Sequence, residues 1–183
     1  DLLTSVLYFI QNDLEKRRVM EQLEKLSYED TLTGLYNRNR YNEVRKAYKK
    51  KAPDKLGIIY MDLNGLKQAN DTYGHDYGDK LIRKTAKILA KVVGKDAYRI
   101  GGDEFVIAFT AEEVEERADK IVTSIRNTMK RYNERRERPY PMQVSIGAYC
   151  NRVKGHSLDH FLKKADDLMY ADKYLHRKDN GII

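Results

Sequence analysis

The chain has 183 residues, 41% apolar and 34% charged, a balance that suits one folded domain with a real core and excludes a disordered tail. The net charge of +7 suits an anionic partner, but it is scattered, and Lys49-Lys50-Lys51 is the longest lysine run. One cysteine, Cys150, excludes an intrachain disulfide and a cysteine-based zinc site, and no stretch approaches the ~20 apolar residues that cross a bilayer.

A reducing cytoplasm is the expected setting, with no direct membrane insertion of this stretch. The first residue is Asp rather than Met, so a fragment of a longer protein is expected. Residues 1 to about 28 read as one amphipathic helix without glycine or proline. Leu3, Leu7, Ile10 and Leu14 keep a 4-3-4 spacing, and the stripe slips before resuming at Val19 or Met20, Leu23 and Leu26. This predicts a short coiled coil, a parallel dimer helix leading from an upstream module.

Thr33, Gly34 and Asn37 are turn and cap residues that break the helix. A second helix is expected from Asn39 to Lys51, ended by Pro53. Leu56-Gly57-Ile58-Ile59-Tyr60-Met61 is an apolar run of strand length, the mark of a strand covered on both faces, and it stops at Asp62. A short helix and a polar loop with Gly74 and Gly78 follow. Asp79 to Val93 reads as a helix with Leu81, Ile82, Thr85, Ile88, Leu89 and Val92 on one face.

Ala97–Ile100 and Glu104–Thr110 flank Gly101 and Gly102 as a hairpin, in which the glycines are expected to supply positive φ. Ala111 to Asn133 is a long charged helix, and Arg131 to Arg138 a charged loop closed by Pro139 and Pro141. Met142 to Tyr149 alternates as a strand. Ser157 caps a last helix to about Leu175, and Gly181-Ile182-Ile183 is a candidate final strand. This order suits an α+β domain with a mostly antiparallel central sheet and helices packed on it.

Asp103 and Glu104 stand side by side after the glycine pair. Like charges repel, and they become favourable when a divalent cation lies between them and an anionic ligand. If the strand ending at Asp62 runs beside the hairpin, Asp62 and Asp103 meet at one sheet edge. With a backbone carbonyl such as that of Leu63, they form an oxygen-rich site that suits Mg²⁺ or Mn²⁺. Gly101 and Gly102, lacking side chains, let a bulky ligand lie over the turn.

The letters Gly101 to Phe105 spell G-G-D-E-F, and more of one pattern surrounds them in order. Asp30 to Arg38 resembles the D-x-L-T-G-L-x-N-R opening of GGDEF domains, and Asp62 to Asp79 resembles D-x-D-x-F-K-x-x-N-D-x-x-G-H-x-x-G-D. From about Asp30 to Arg177 the chain is similar to the diguanylate cyclases. The resemblance implies a palm-like, ferredoxin-related fold over 29–183, preceded by a linker or signalling helix over 1–28, and an Asp30–Arg38 pair at the joint. It implies condensation of two GTP into cyclic di-GMP and two pyrophosphates by a homodimer of half-sites, as the output domain below a sensor or regulatory domain. Asp62, Asp103 and Glu104 would hold metal or act in catalysis, Asn70 and Asp79 would read guanine, and Lys173 and Arg177 would bind phosphate.

Three departures stand out. Asn64 replaces the second acid and is followed by Gly65 and Leu66 rather than an early aromatic. Val92 or Val93 stands where an R-x-x-D product site places its arginine, so inhibition through that site is not expected. His176 replaces a usual glycine. The rival class is a non-catalytic receptor for GTP or cyclic di-GMP. Nucleic-acid binding is disfavoured, since the tyrosines form no stacking series with arginine on one face.

Overall fold

The computed structural model describes residues 2–134 and 140–179. Its elements are α1 (Leu2–Tyr28), β1 (Tyr36–Asn37), α2 (Arg38–Lys50), β2 (Lys55–Leu63), α3 (Leu66–Tyr73), α4 (His75–Val93), β3 (Ala97–Arg99), β4 (Glu104–Phe109), α5 (Val114–Asn133), β5 (Val144–Arg152) and α6 (Leu158–Asp179). They form an α+β domain around a five-stranded sheet of order β1-β3-β4-β2-β5.

Strands β2 to β5 pair antiparallel throughout. With their helices they make the β-α-β-β-α-β arrangement of ferredoxin-like folds. Strand β2 is central, pairing β4 on one side and β5 on the other, and all its residues but Lys55 are buried.

Side chains alternate between the faces of a sheet, so residue parity decides which helices each strand residue meets. Ile59, Met61, Leu63, Phe105 and Ile107 share a core with Leu81, Leu89, Ile121 and Ile125 of α4 and α5. Ile58, Tyr60, Val106 and Ala108 share the other with Tyr41 of α2 and Phe161, Ala165 and Met169 of α6. A Cβ at Gly147 would strike the backbone of α6 at Ala165 and Met169, so α6 lies directly on β5.

Several boundaries differ from the sequence expectation. β1 was not expected: it is two residues long and pairs parallel to β3, too short to show periodicity. Helix α4 begins at His75 rather than Asp79, so the stretch read as a polar loop is mostly helical. Gly78 sits inside that helix because its bare Cα lets Asn70 pack against it. Arg131 to Asn133 belong to α5; residues 135–139 and 181–183, the rest of the expected charged loop and the candidate last strand, lie outside the described residues. Neither Gly101 nor Gly102 has positive φ. What Gly101 provides is space, since a Cβ there would strike the Glu104 carboxylate.

Helix α1 packs little on the rest. Leu3, Leu7, Ile10, Leu14, Val19, Met20, Leu23 and Leu26 are all exposed.

Candidate active site

Asp62 shares its parity with Ile58 and Tyr60, so its carboxylate emerges on the α6 face of the sheet. Phe161, Ala165 and Met169 form a buried stripe of four-residue spacing on α6, and Lys173 is its next member. The stripe therefore runs off the apolar core onto a charge: Lys173 Nζ donates to Asp62 Oδ1 at 2.7 Å. Asp62 is only 7% exposed, and a buried carboxylate needs such a partner. Arg177, one turn further along, lines the same cleft and is exposed.

The turn after β3 carries Asp103 to this point. Leu63 N–H donates to the Asp103 carbonyl at 3.0 Å, tying the end of β2 to the turn. Partial burial, reinforced by the neighbouring Asp62 carboxylate, pushes the Asp103 carboxyl above its ordinary range. Its negative charge is under-compensated even with Lys173 nearby. Glu104 faces Asp62 across the β2–β4 pair, but its Oε1 accepts from Tyr60 OH at 2.9 Å. Burial, and then the Glu104 bond, push the Tyr60 phenol well above its usual range, so it stays a donor.

Asp62, Asp103, Lys173 and Arg177 open into a cleft of about 520 Å³, lined also by Leu63 and Tyr140, whereas Glu104, Gly101 and Gly102 are outside its lining. Among the described residues no three His, Cys, Asp or Glu side chains converge on a metal position. The donors that do meet, two carboxylates at the mouth of an open cleft, suit a hard cation completing its shell with water and phosphate oxygens.

Asn70 and Asp79 sit apart from this lining. Asn70 Oδ1 is buried and has no hydrogen-bond partner among the described residues, and Asp79 pairs with Arg83 at 3.5 Å. Asn64, the replacement for the second acid, accepts from Ser145 Oγ at 3.0 Å. His176 lies 3.5 Å from Asp172.

The joint beneath α1 is wired differently from the expectation. Asp30 pairs not with Arg38 but with Arg99, whose Nη1 lies 2.9 and 3.1 Å from its two oxygens. Arg99 also donates to the Gly102 carbonyl through Nε and Nη2, at 3.2 and 2.8 Å. Arg38 Nε donates to the Ile100 carbonyl at 2.6 Å. Both arginines thus hold the turn that carries Asp103. Partial burial raises Asp30, but hydrogen bonds from Thr33 and Arg99 and the Arg99 charge outweigh it, leaving the carboxyl below its ordinary range.

Residues 27–179 match the family model "Diguanylate cyclase, GGDEF domain". The chain belongs to the GGDEF family. It is 32% identical over 172 residues to the diguanylate cyclase VdcA of Vibrio cholerae, covering 90% of this chain and 50% of that protein. It is 35% identical over 170 residues to the cyclic di-GMP phosphodiesterase PdeR of Escherichia coli, covering 87% of this chain and 24% of that protein. The chain thus spans half or less of the length of these relatives, whose names describe opposite reactions. Among solved structures, the coiled coil and GGDEF domain of DgcB from Caulobacter crescentus, in complex with c-di-GMP, matches with a TM-score of 0.76 at 25% identity over 95% of both chains. The chain therefore carries the fold of that structure across nearly its whole length, and the family match begins at the end of α1. No helix among its described residues is long and apolar enough to cross a membrane.

Proposed function

We propose that this GGDEF domain is a diguanylate cyclase, joining two GTP into cyclic di-GMP with release of two pyrophosphates. The observation that carries the reading is the meeting of Asp62, Asp103, Lys173 and Arg177 at one cleft. A receptor of nucleotide alone has no need of two converging carboxylates, that of Asp103 under-compensated, beside phosphate-binding cations.

Mg²⁺ or Mn²⁺ bound by Asp62, Asp103 and the Leu63 carbonyl would lower the pKa of the attacking 3′-hydroxyl and neutralise the leaving oxygens. Lys173 and Arg177 take the β- and γ-phosphates, as an ammonium and a guanidinium four residues apart on one helix can. In exchanging Asp62 for phosphate, Lys173 frees a carboxylate oxygen. Glu104, held by Tyr60, serves as proton acceptor or second-metal ligand. Gly102 leaves the turn open over the substrate, while the space at Gly101 is taken by the Glu104 carboxylate. Asn70 of α3 and Asp79 of α4 read the guanine base, the carboxylate accepting from N1–H and the 2-amino group.

One cleft holds one GTP, and two 3′–5′ bonds require two facing half-sites. A homodimer through the exposed stripe of α1 supplies the second copy, and an upstream sensor or regulatory domain would act through that helix inside the cytoplasm.

The test is incubation of purified protein with GTP and Mg²⁺, products resolved by chromatography, beside Asp103→Ala and ATP controls. Cyclic di-GMP from GTP alone, lost in the variant, is the expected result. The alternative is a catalytically inactive domain that acts as a receptor for GTP or cyclic di-GMP through protein partners. Tight GTP or cyclic di-GMP binding by a dimer that makes no product would establish that reading instead.

A further inference from the structure

Positive charge that is scattered in the sequence gathers on one face of α4 in the fold. Lys80, Arg83, Lys87 and Lys91 follow at spacings of three, four and four residues and are all exposed, while Leu81, Ile82, Ile88 and Leu89 are buried behind them. No acidic residue intervenes from Lys80 to Lys91, a stripe about 17 Å long at the helical rise. Lys84 flanks it, with its Nζ 5.2 Å from the centre of the Tyr132 ring of α5. Of these five cations only Arg83 has an ion-pair partner among the described residues, Asp79 at 3.5 Å. The adjoining surface is compensated, since Arg117 pairs with Asp96 and Lys120 with Glu116. Like charges four residues apart on a helix oppose each other. The helix dipole favours only Lys91, in the last turn. A face that merely meets water mixes both signs, as α5 does.

We propose that this face of α4 docks the domain on an anionic bilayer surface. The proposal goes beyond the cyclase reading and does not depend on it. Ala90 is the sole exposed apolar residue of α4 between Lys80 and Lys91, so the contact is one of charge at the headgroups, without insertion. Nucleic acid fits this face less well. No aromatic lies between Lys80 and Lys91 to stack a base, and α4 packs in a layer with α5, too broad to enter a groove as a lone helix. Lys173 and Arg177 belong to α6, on the opposite face of the sheet, so docking does not compete with phosphate for them.

The experiment is co-sedimentation of the full chain with vesicles of phosphatidylcholine, alone or with about 30% phosphatidylglycerol. Wild type is compared with the triple variant Lys80→Gln, Lys87→Gln, Lys91→Gln and with a variant of equal charge change, Lys49→Gln, Lys50→Gln, Lys51→Gln. Binding is expected only to the anionic vesicles, and to fall as NaCl rises from about 0.1 M to about 0.5 M. Each lysine at such a surface is worth about fivefold in partition, so the α4 variant is expected to lose about a hundredfold and the other no more than about fivefold. No binding by wild type, an undiminished α4 variant, or equal losses in both variants overturns the proposal. Acetylation of wild-type lysines on the vesicles needs no variant to fold. Protection of Lys80, Lys87 and Lys91 beyond that of Lys49, Lys50 and Lys51 supports docking, and equal protection overturns it. Wild type that binds a DNA duplex and ignores the vesicles overturns it too, and makes the stripe a nucleic-acid surface.

Discussion

Lys173 occupies Asp62 at 2.7 Å, so the site neutralises one of its carboxylates with its own cation. Removing that cation leaves Asp62 nearly buried beside Asp103 with no counter-charge. Lys173→Ala is expected to cost about 2–4 kcal/mol of stability as well as phosphate affinity, visible as a lower urea midpoint together with a raised KM. Tyr60→Phe removes the donor to Glu104 and is expected to destabilise by about 1–2 kcal/mol, with a larger fall in kcat than rise in KM. Equal effects on both kinetic constants would remove Glu104 from the chemistry. At this scale the sequence was readable where a residue's position was set by its own strand or helix. Asp62 at a strand end and Lys173 and Arg177 on one helix face are of that kind. The Asp30–Arg99 pair was not readable, because its partners lie 69 residues apart and nothing in the spacing chooses Arg99 over Arg38. Tyr140 was hidden for the same reason, in a stretch without periodicity.

The elements meet most tightly where α6 crosses β5 at Gly147. A Cβ there meets backbone rather than a movable side-chain tip. Gly147→Ala is therefore expected to cost about 2–3 kcal/mol, read as a drop in Tm, and to disturb the seating of Lys173 as α6 shifts. The joint beneath α1 carries a pH signature. The folded carboxyl of Asp30 lies below its unfolded value, so its contribution is present above the ordinary carboxylate range and is lost as pH falls through the folded value. A Tm profile from about pH 6 to about pH 2 is expected to fall less steeply in Asp30→Asn than in wild type. Identical slopes would remove the Arg99 pair as its cause. Helices α5 and α6 were legible from apolar periodicity, and strand β2 from its continuous apolar run. The start of α4 was not, because Gly74 and Gly78 read as loop residues until the packing of Asn70 shows why Gly78 is there.

For the whole molecule, the exposed α1 stripe separates folding from assembly. Since Leu7, Ile10 and Leu14 are more than half exposed within one chain, their replacement by Ala is expected to leave the monomer's Tm within a degree or two while abolishing dimer in sedimentation and product formation with it. A dimeric, active triple variant would remove α1 from assembly.

The alternation along β2 has a consequence for how this domain can vary in length. Even-numbered residues of the strand meet α6 and odd-numbered ones meet α4 and α5. Deleting a single residue within Lys55–Met61 would turn the Asp62 carboxylate toward an apolar core and bring Leu63 to the mouth of the cleft, and inserting one would bring Met61 there. Only a bulge, which sets two residues of one strand against one of its partner, would absorb such a change without flipping the strand. Changes of chain length that spare the site are therefore expected in segments off the strand ladder.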